Sequence, residues 1–304
     1  MSSGRFAGWF DRKGWTGILI GAPYVWLVIF FLFPFLIVVA MSVATNTPTA
    51  PPFSFGGEYP LINTGAYERL LTDGLYLRAF LTSVVNALLA AVLCLLIGYP
   101  MALGLTRVSK SRRNILLMLV ILPFWTSFLL RVYAWMGLMG KNSWFNDLLT
   151  DAWNFLVPID WAVRSIPMMN SNFAVVLVMV YTYLPFMILP LYASLERLDP
   201  TLDEAAMDLG SRPSQVFRDV TLPQSVPGII AGGMLVFIPA AGELVIPTLV
   251  GNASQPMIGR LISDEFSQAR DWPMASAVAV ALLVLMVVPT MIYSHYQARA
   301  EGTK

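Results

Sequence analysis

The chain has 304 residues, 57% of them hydrophobic and 12% charged, with a formal net charge of +1. Soluble domains carry about 25% charged residues, so this composition specifies a polytopic membrane protein and makes the bilayer the solvent to reason about. The near-zero charge gives no footprint for nucleic acid, and a single cysteine (Cys94) with a single histidine (His295) excludes an intrachain disulfide and most metal or triad chemistry.

The first apolar run extends from about Trp15 to Ala44, behind Arg5, Arg12 and Lys13. It is far longer than a signal-peptide core of about 7–15 residues and reads as a retained transmembrane helix. Runs near or above the ~20 residues needed to cross a bilayer predict six spans, at roughly 16–44, 78–106, 113–139, 173–199, 222–250 and 274–296. Basic residues precede the first span, fill the link between the second and third (Arg107, Lys110, Arg112, Arg113), and follow the last (Arg299, Lys304). They place both termini in the cytoplasm. Segments 45–77, 140–172 and 251–272 then face outward, with turn residues and the interface aromatics Trp144, Trp153, Trp161 and Trp272. The expectation is one all-α transmembrane domain, 1–304, folded as a six-span helical bundle. Asn86, polar within the second span, is read as a bridge between helices.

The cytoplasmic link 200–221 stands apart because acids outnumber bases there. Thr201 and Glu204 have the spacing of a capping box. Leu202, Ala205, Ala206 and Leu209 follow at helical spacing as one apolar stripe, with Asp203, Glu204 and Asp208 away from it. Gly210 is placed to take the left-handed conformation that stops a helix. Ser211 and Pro213 then start a second short helix through Gln215 to Asp219, and Leu222-Pro223 re-enters the membrane. Local physics alone leaves an ordinary amphipathic connector as an equal reading.

The pattern Glu204-Ala205-Ala206, then Gly210, then Leu222-Pro223 resembles the EAA loop of ABC importer permeases. GAPYVWLVIFFLFPFLIV, LLIGYPMALGL and ILPFWTSFLLRVYAWMGLM resemble the polyamine branch of that family. So do YLPFMILPLYASLERLD, PGIIAGGMLVFIPAAGELVIPTLVG and RDWPMASAVAV, and GELVIPTLVG inclines the resemblance toward the putrescine type. The resemblance implies a type I importer permease of the bacterial inner membrane, paired with a second permease and resting on two ATP-binding subunits. A soluble or lipid-anchored substrate-binding protein would deliver a polyamine such as putrescine or spermidine to the outer face. Glu204, Ala205, Ala206, Asp208 and Gly210 would form the coupling helix that docks on the ATPase. The chain itself contains no G-x-x-x-x-G-K-[ST] phosphate loop. It is therefore expected to bind no cofactor and to be no enzyme, with ATP and magnesium held by the partner.

Ionisable groups at membrane depth are functional candidates by default. On a straight third span Arg131 lies about 27 Å of rise beyond Arg113, and Glu243 lies about 30 Å beyond Pro223. A polyamine needs carboxylates, carbonyls and aromatic faces in place of its lost hydration. Glu243 is the carboxylate candidate. Its span is interrupted by Pro227, Gly228, Gly232, Gly233, Pro239, Gly242 and Pro247, which would expose carbonyls. Trp125, Tyr133, Trp135, Tyr181 and Tyr183 are the aromatic candidates. The sequence leaves open an Arg131–Glu243 ion pair that would occupy both charges. A secondary transporter would need its own coupling-ion site and usually an internal repeat. A membrane enzyme would need a clustered acid, base or metal set. An importer of another small solute, such as an oxyanion, would draw on Arg131 instead.

Overall fold

The computed structural model describes residues 21–156 and 163–301. Arg5, Arg12, Lys13, the start of the first predicted span, Trp161 and Lys304 lie outside the described residues. The architecture is all-α apart from one antiparallel hairpin, β1 (Thr45–Asn46) and β2 (Phe53–Ser54). By its internal contacts the chain divides into two compact units, Met1–Asp73 with Asp264–Val284, and Gly74–Ser263 with Leu285–Lys304.

The first unit begins with α1 (Gly21–Met41), a helix that buries none of its most apolar stretch. Side chains from Tyr24 to Phe33 are exposed around its whole circumference. A helix apolar on all sides belongs in lipid or against other membrane helices. The hairpin and α2 (Gly65–Thr72) follow, tied back by Asn63 N–H to Val43 O at 2.7 Å and by the Ser42–Tyr67 hydroxyl pair at 2.7 Å. Near the start of α12 (Trp272–Glu301), Trp272 stacks on Phe266 at 4.9 Å and meets Phe53 at 6.0 Å. Asp271 caps that helix, accepting from Met274 N–H at 3.1 Å.

The second unit is built on three long helices, α3 (Gly74–Arg107), α7 (Asn172–Leu195) and α9 (Pro213–Ala241). Their packing follows from small residues at helical spacing. On α3 the buried row is Ala87, Ala90, Cys94, Gly98 and Ala102, and on α9 it is Ser225, Gly228, Gly232, Val236 and Ala240. Lipid supplies no hydrophobic force between helices, so close backbone approach is what holds them. Met187 of α7 sits between the two rows. A Cβ on Gly98 would lie 3.3 Å from its Cγ, and one on Gly232 would lie 2.8 Å from its Sδ. Tyr99 and Ser225 share a buried hydroxyl bond of 2.8 Å between α3 and α9. Asn86 does bridge helices, donating to Asn172 Oδ1 at the head of α7 at 3.4 Å.

Four described helices are long and apolar enough to cross a membrane: α1, α3, α7 and α9. The predicted third span is not one helix. α4 (Lys110–Ile121) tightens into a 3-10 turn at Leu122–Trp125, and α5 (Phe128–Met139) leaves at 90°. The cause is local. Pro123 supplies no N–H, Thr126 closes the turn on Pro123 O, and Thr126 and Ser127 adopt extended backbone. The 27 Å rise from Arg113 to Arg131 therefore does not hold. The predicted fifth span also ends early, at Ala241, and resumes as α10 (Val245–Val250). The segments 140–172 and 251–272 between predicted spans carry more than turns, since α6 (Trp144–Leu156) and α11 (Ile258–Ser267) lie there.

Candidate functional site

The break between α9 and α10 is where the fifth apolar run stops being regular. Gly242 ends α9, and Glu243 turns its side chain forward over the start of α10. Glu243 Oε1 accepts from the backbone N–H of Val245 at 3.0 Å and of Ile246 at 3.5 Å, satisfying donors that a helix start leaves orphaned. Glu243 Oε2 accepts from the Tyr183 hydroxyl of α7. The backbone is held from the other side by α11. A Cβ on Gly259 would lie 2.5 Å from Gly242 O and 2.7 Å from Glu243 O, so glycine alone permits this approach. Ile258 N–H is anchored in turn on Ser83 Oγ at 2.8 Å.

Arg131 lies just beyond the bend between α4 and α5. Its guanidinium sits 5.5 Å from the Phe124 ring centre and 5.8 Å from that of Phe128. Among the described residues its buried Nε and Nη1 atoms have no hydrogen-bond partner. The Arg131–Glu243 ion pair is not formed. Among the described residues neither group joins a salt bridge, and the acceptors of Glu243 are filled by neutral donors. The two charges are linked instead by rings. Tyr183 meets Phe186 at 6.3 Å, Phe186 meets Phe124 edge-on at 5.0 Å, and Phe124 faces Arg131.

The structure therefore brings Glu243 and Tyr183 together, sets Arg131 against Phe124 and Phe128, and places Phe186 between the two groups; the sequence did not single out these three phenylalanines. Phe186 had a signal, standing three residues after Tyr183 and so one turn along the same helix face. The remaining aromatic candidates lie elsewhere. Trp125 and Tyr133 point outward, 79% and 52% exposed. Trp135 packs edge-on against Tyr181 at 5.5 Å and against Phe145 at 6.4 Å, a separate group. An apolar hollow of about 370 Å³ lies along α4 between Asn114 and Trp125, and neither Glu243 nor Arg131 lines it.

The polar link forms α8 (Pro200–Asp208). Thr201 is not its cap. Pro200 takes the first helical position, which moves the cap to Asp199, whose Oδ1 accepts from Thr201 N–H at 3.0 Å. That bond holds the Asp199 carboxyl below the usual carboxylate range. Gly210 takes φ +88°, Gly210 N–H bonds Met207 O at 2.9 Å, and Ser211 N–H bonds Ala206 O at 3.1 Å. This is a Schellman stop. Glu204, Ala205 and Asp208 are exposed, as are Leu202, Met207 and Leu209, while Ala206 is half-buried. The predicted second short helix is not separate, since its residues are the first turns of α9 and run into the span through a π turn at Phe217–Thr221. Arg113 donates to Glu196 at 2.7 Å and to Thr106 O at 3.2 Å, tying the α3–α4 link to the end of α7.

A family model described as binding-protein-dependent transport system inner membrane component matches residues 94–302. The chain is 37% identical over 286 residues to the spermidine/putrescine transport system permease protein PotB of Haemophilus influenzae, covering 92% of this chain and 93% of that one. It is 37% identical over 268 residues to the protein of the same name from Escherichia coli, covering 88% and 92%. The crystal structure of a bacterial alginate ABC transporter in complex with alginate pentasaccharide-bound periplasmic protein contains a chain of like fold. The TM-score there is 0.68 at 18% identity, covering 97% of this chain and 98% of that one.

Proposed function

The chain belongs to the family of binding-protein-dependent transport system inner membrane components, and from that premise we propose that it forms part of the path by which an ATP-driven importer moves a polyamine. It is a multi-pass transport subunit of the bacterial inner membrane, and no enzyme. The cargo reading draws on the relatives, which are named for spermidine and putrescine. The observation that carries it is the state of Glu243, a carboxylate beside a broken helix whose partners are all neutral. Its charge is left to be met by a cation that is not part of the described chain. Desolvated ammonium groups need such a carboxylate, with carbonyls and rings beside it. Tyr183 and Phe186 supply the rings.

The remaining parts follow the same logic. Six spans with both termini in the cytoplasm put α8 on the inner face, where an ATP-binding subunit dimer would receive its exposed Leu202, Met207 and Leu209 beside Glu204 and Asp208. ATP and magnesium would be held by that dimer. A second permease would complete the path, and a substrate-binding protein would load it from outside. In the alginate system named above such a periplasmic protein accompanies the transporter. Arg131, a cation that no carboxylate meets among the described residues, favours a second reading in which the cargo is an anion. Uptake of labelled putrescine and spermidine by cells carrying the full system, in competition with oxyanions, tests the two. The polyamine reading expects ATP-dependent uptake that unlabelled polyamine abolishes and oxyanion leaves intact. The opposite pattern overturns it.

A further inference from the structure

Resting on the reading of α8 as the helix that docks on an ATP-binding subunit, we infer that Arg113 is the positioning residue that makes α4 follow α8. It is a strut between three helix ends, and through it a displacement of α8 reaches the ring group at Phe124. Arg113 lies in the first turn of α4. Its Nη1 donates to Glu196 Oε1 at 2.7 Å, just past the end of α7, and reaches the Tyr192 hydroxyl of α7 at 3.5 Å. Its Nη2 donates to Thr106 O, in the last turn of α3, at 3.2 Å. The guanidinium lies 6.0 Å from the Tyr192 ring centre. A planar fork with donors on several sides can serve partners on different elements at once, which a lysine ammonium does less well.

The place chosen for this cation is informative. The first turn of α4 holds no acid, and Lys110, Arg112 and Arg113 all fall there. A helix N-terminus disfavours positive charge, so α4 by itself gives Arg113 no stabilisation. Its stabilisation comes from the C-terminal ends of α3 and α7, where unpaired carbonyls carry the opposite partial charge and Glu196 adds a full one. Arg113 is therefore stable where it is only while the three ends stay together. Among the described residues its buried Nε has no partner that would hold it to α4 instead.

The connections on either side of the strut have little slack. From α7 to α8 the chain runs through successive turns. Glu196 N–H bonds Tyr192 O at 2.8 Å, Arg197 N–H bonds Ser194 O at 3.3 Å, and Leu198 N–H bonds Leu195 O at 3.3 Å. Asp199 then caps α8. In the other direction α4 is regular up to the turn at Leu122–Trp125, about 16 Å of rise from Arg113 to Phe124. Phe124 meets Phe186 at 5.0 Å and faces Arg131 at 5.5 Å.

The test uses the complete importer with its binding protein in proteoliposomes, and reads labelled putrescine imported per ATP hydrolysed. A residue needed only for folding would lower uptake and hydrolysis together. Arg113→Gln is expected to lower uptake per ATP about fivefold, the order of one net hydrogen bond lost, with stimulated hydrolysis changed by less than about twofold. Arg113→Glu with Glu196→Arg should recover part of that ratio. Uptake and hydrolysis falling in the same proportion, or a ratio equal to the parent's, overturns the inference. If Arg113→Gln does not assemble, Glu196→Gln alters only the half-exposed partner. It should lower the ratio in the same direction, and an unchanged ratio there also overturns the strut. Gly210→Val is the separate control, because it acts on α8 itself and should lower stimulated hydrolysis and uptake together. If it lowers neither, the docking reading fails, whatever Arg113 does.

Discussion

Gly210 isolates one physical variable at the end of α8, the helix proposed to dock on an ATP-binding subunit. Its φ of +88° is open to glycine at no cost, and a Cβ there would meet nothing within 4 Å. Gly210→Ala therefore adds no clash and leaves only the backbone penalty of the left-handed region, about 1–2 kcal/mol for an L-residue. At 1.4 kcal/mol per factor of ten, the Schellman stop becomes roughly fivefold to thirtyfold less populated relative to a helix that runs on or frays. Gly210→Val costs more because β-branched residues are worst there, and Gly210→Asn costs least because asparagine visits this region routinely. The assay is binding-protein-stimulated ATP hydrolysis and uptake by the reconstituted importer, with assembly checked by co-purification. Both activities should fall in the order Asn, Ala, Val while the complex still assembles. Equal activity across the three, or Asn as poor as Val, would refute the proposal that this stop orients α8 for docking.

Arg113→Glu should reduce uptake several-fold, and Arg113→Glu with Glu196→Arg should restore part of it, because the 2.7 Å pair is re-formed while the bond to Thr106 O is lost. No recovery in cells that express both variants equally would remove the pair from the account. Gly228→Ala should lower the melting temperature of the complex, at a cost of about 1–3 kcal/mol, since its Cβ would lie 2.5 Å from Ser194 Cβ and 3.0 Å from Pro190 O. Gly233→Ala, with nothing within 4 Å, should leave stability equal or improved, so similar losses in both would show that packing is not the cause. The Asp199 carboxyl titrates below its ordinary value because Thr201 N–H stabilises the anion, so its capping contribution is present above the ordinary carboxylate pKa and lost as pH falls through the lowered one. Uptake between pH 5 and 8 should have the same pH profile in Asp199→Asn as in the parent chain, and a changed profile in that window would contradict the assignment.

The sequence made the long apolar helices legible because length and hydropathy are all a lipid-crossing helix needs. It made Gly210 legible because a helix stop has a local signature. The bend at Thr126–Ser127 was hidden, since both arms are apolar and a hydropathy window averages over a two-residue break. The capping box at Thr201 was outweighed by Pro200, whose fixed φ suits the first helical position and leaves Asp199 as the cap. α6 and α11 were missed because their polar faces dilute the apolar signal. At the candidate site Glu243 and Arg131 stood out in the sequence as charges within apolar runs. Their separation by Tyr183, Phe186 and Phe124 was not, because it depends on which faces of α7 and the bent pair meet.

The central claim is that Glu243 receives a substrate cation, and Glu243→Gln in proteoliposomes containing the full importer tests it most directly. The substitution keeps the shape and removes the charge. A desolvated charge-assisted bond is worth about 1.5–3 kcal/mol, so polyamine transport efficiency should fall by very roughly tenfold to a hundredfold. Assembly and basal ATP hydrolysis should be retained, and Tyr183→Phe, which keeps the carboxylate, should fall far less. Polyamine uptake by Glu243→Gln at the parent rate, with ATP consumption unchanged, would contradict the account.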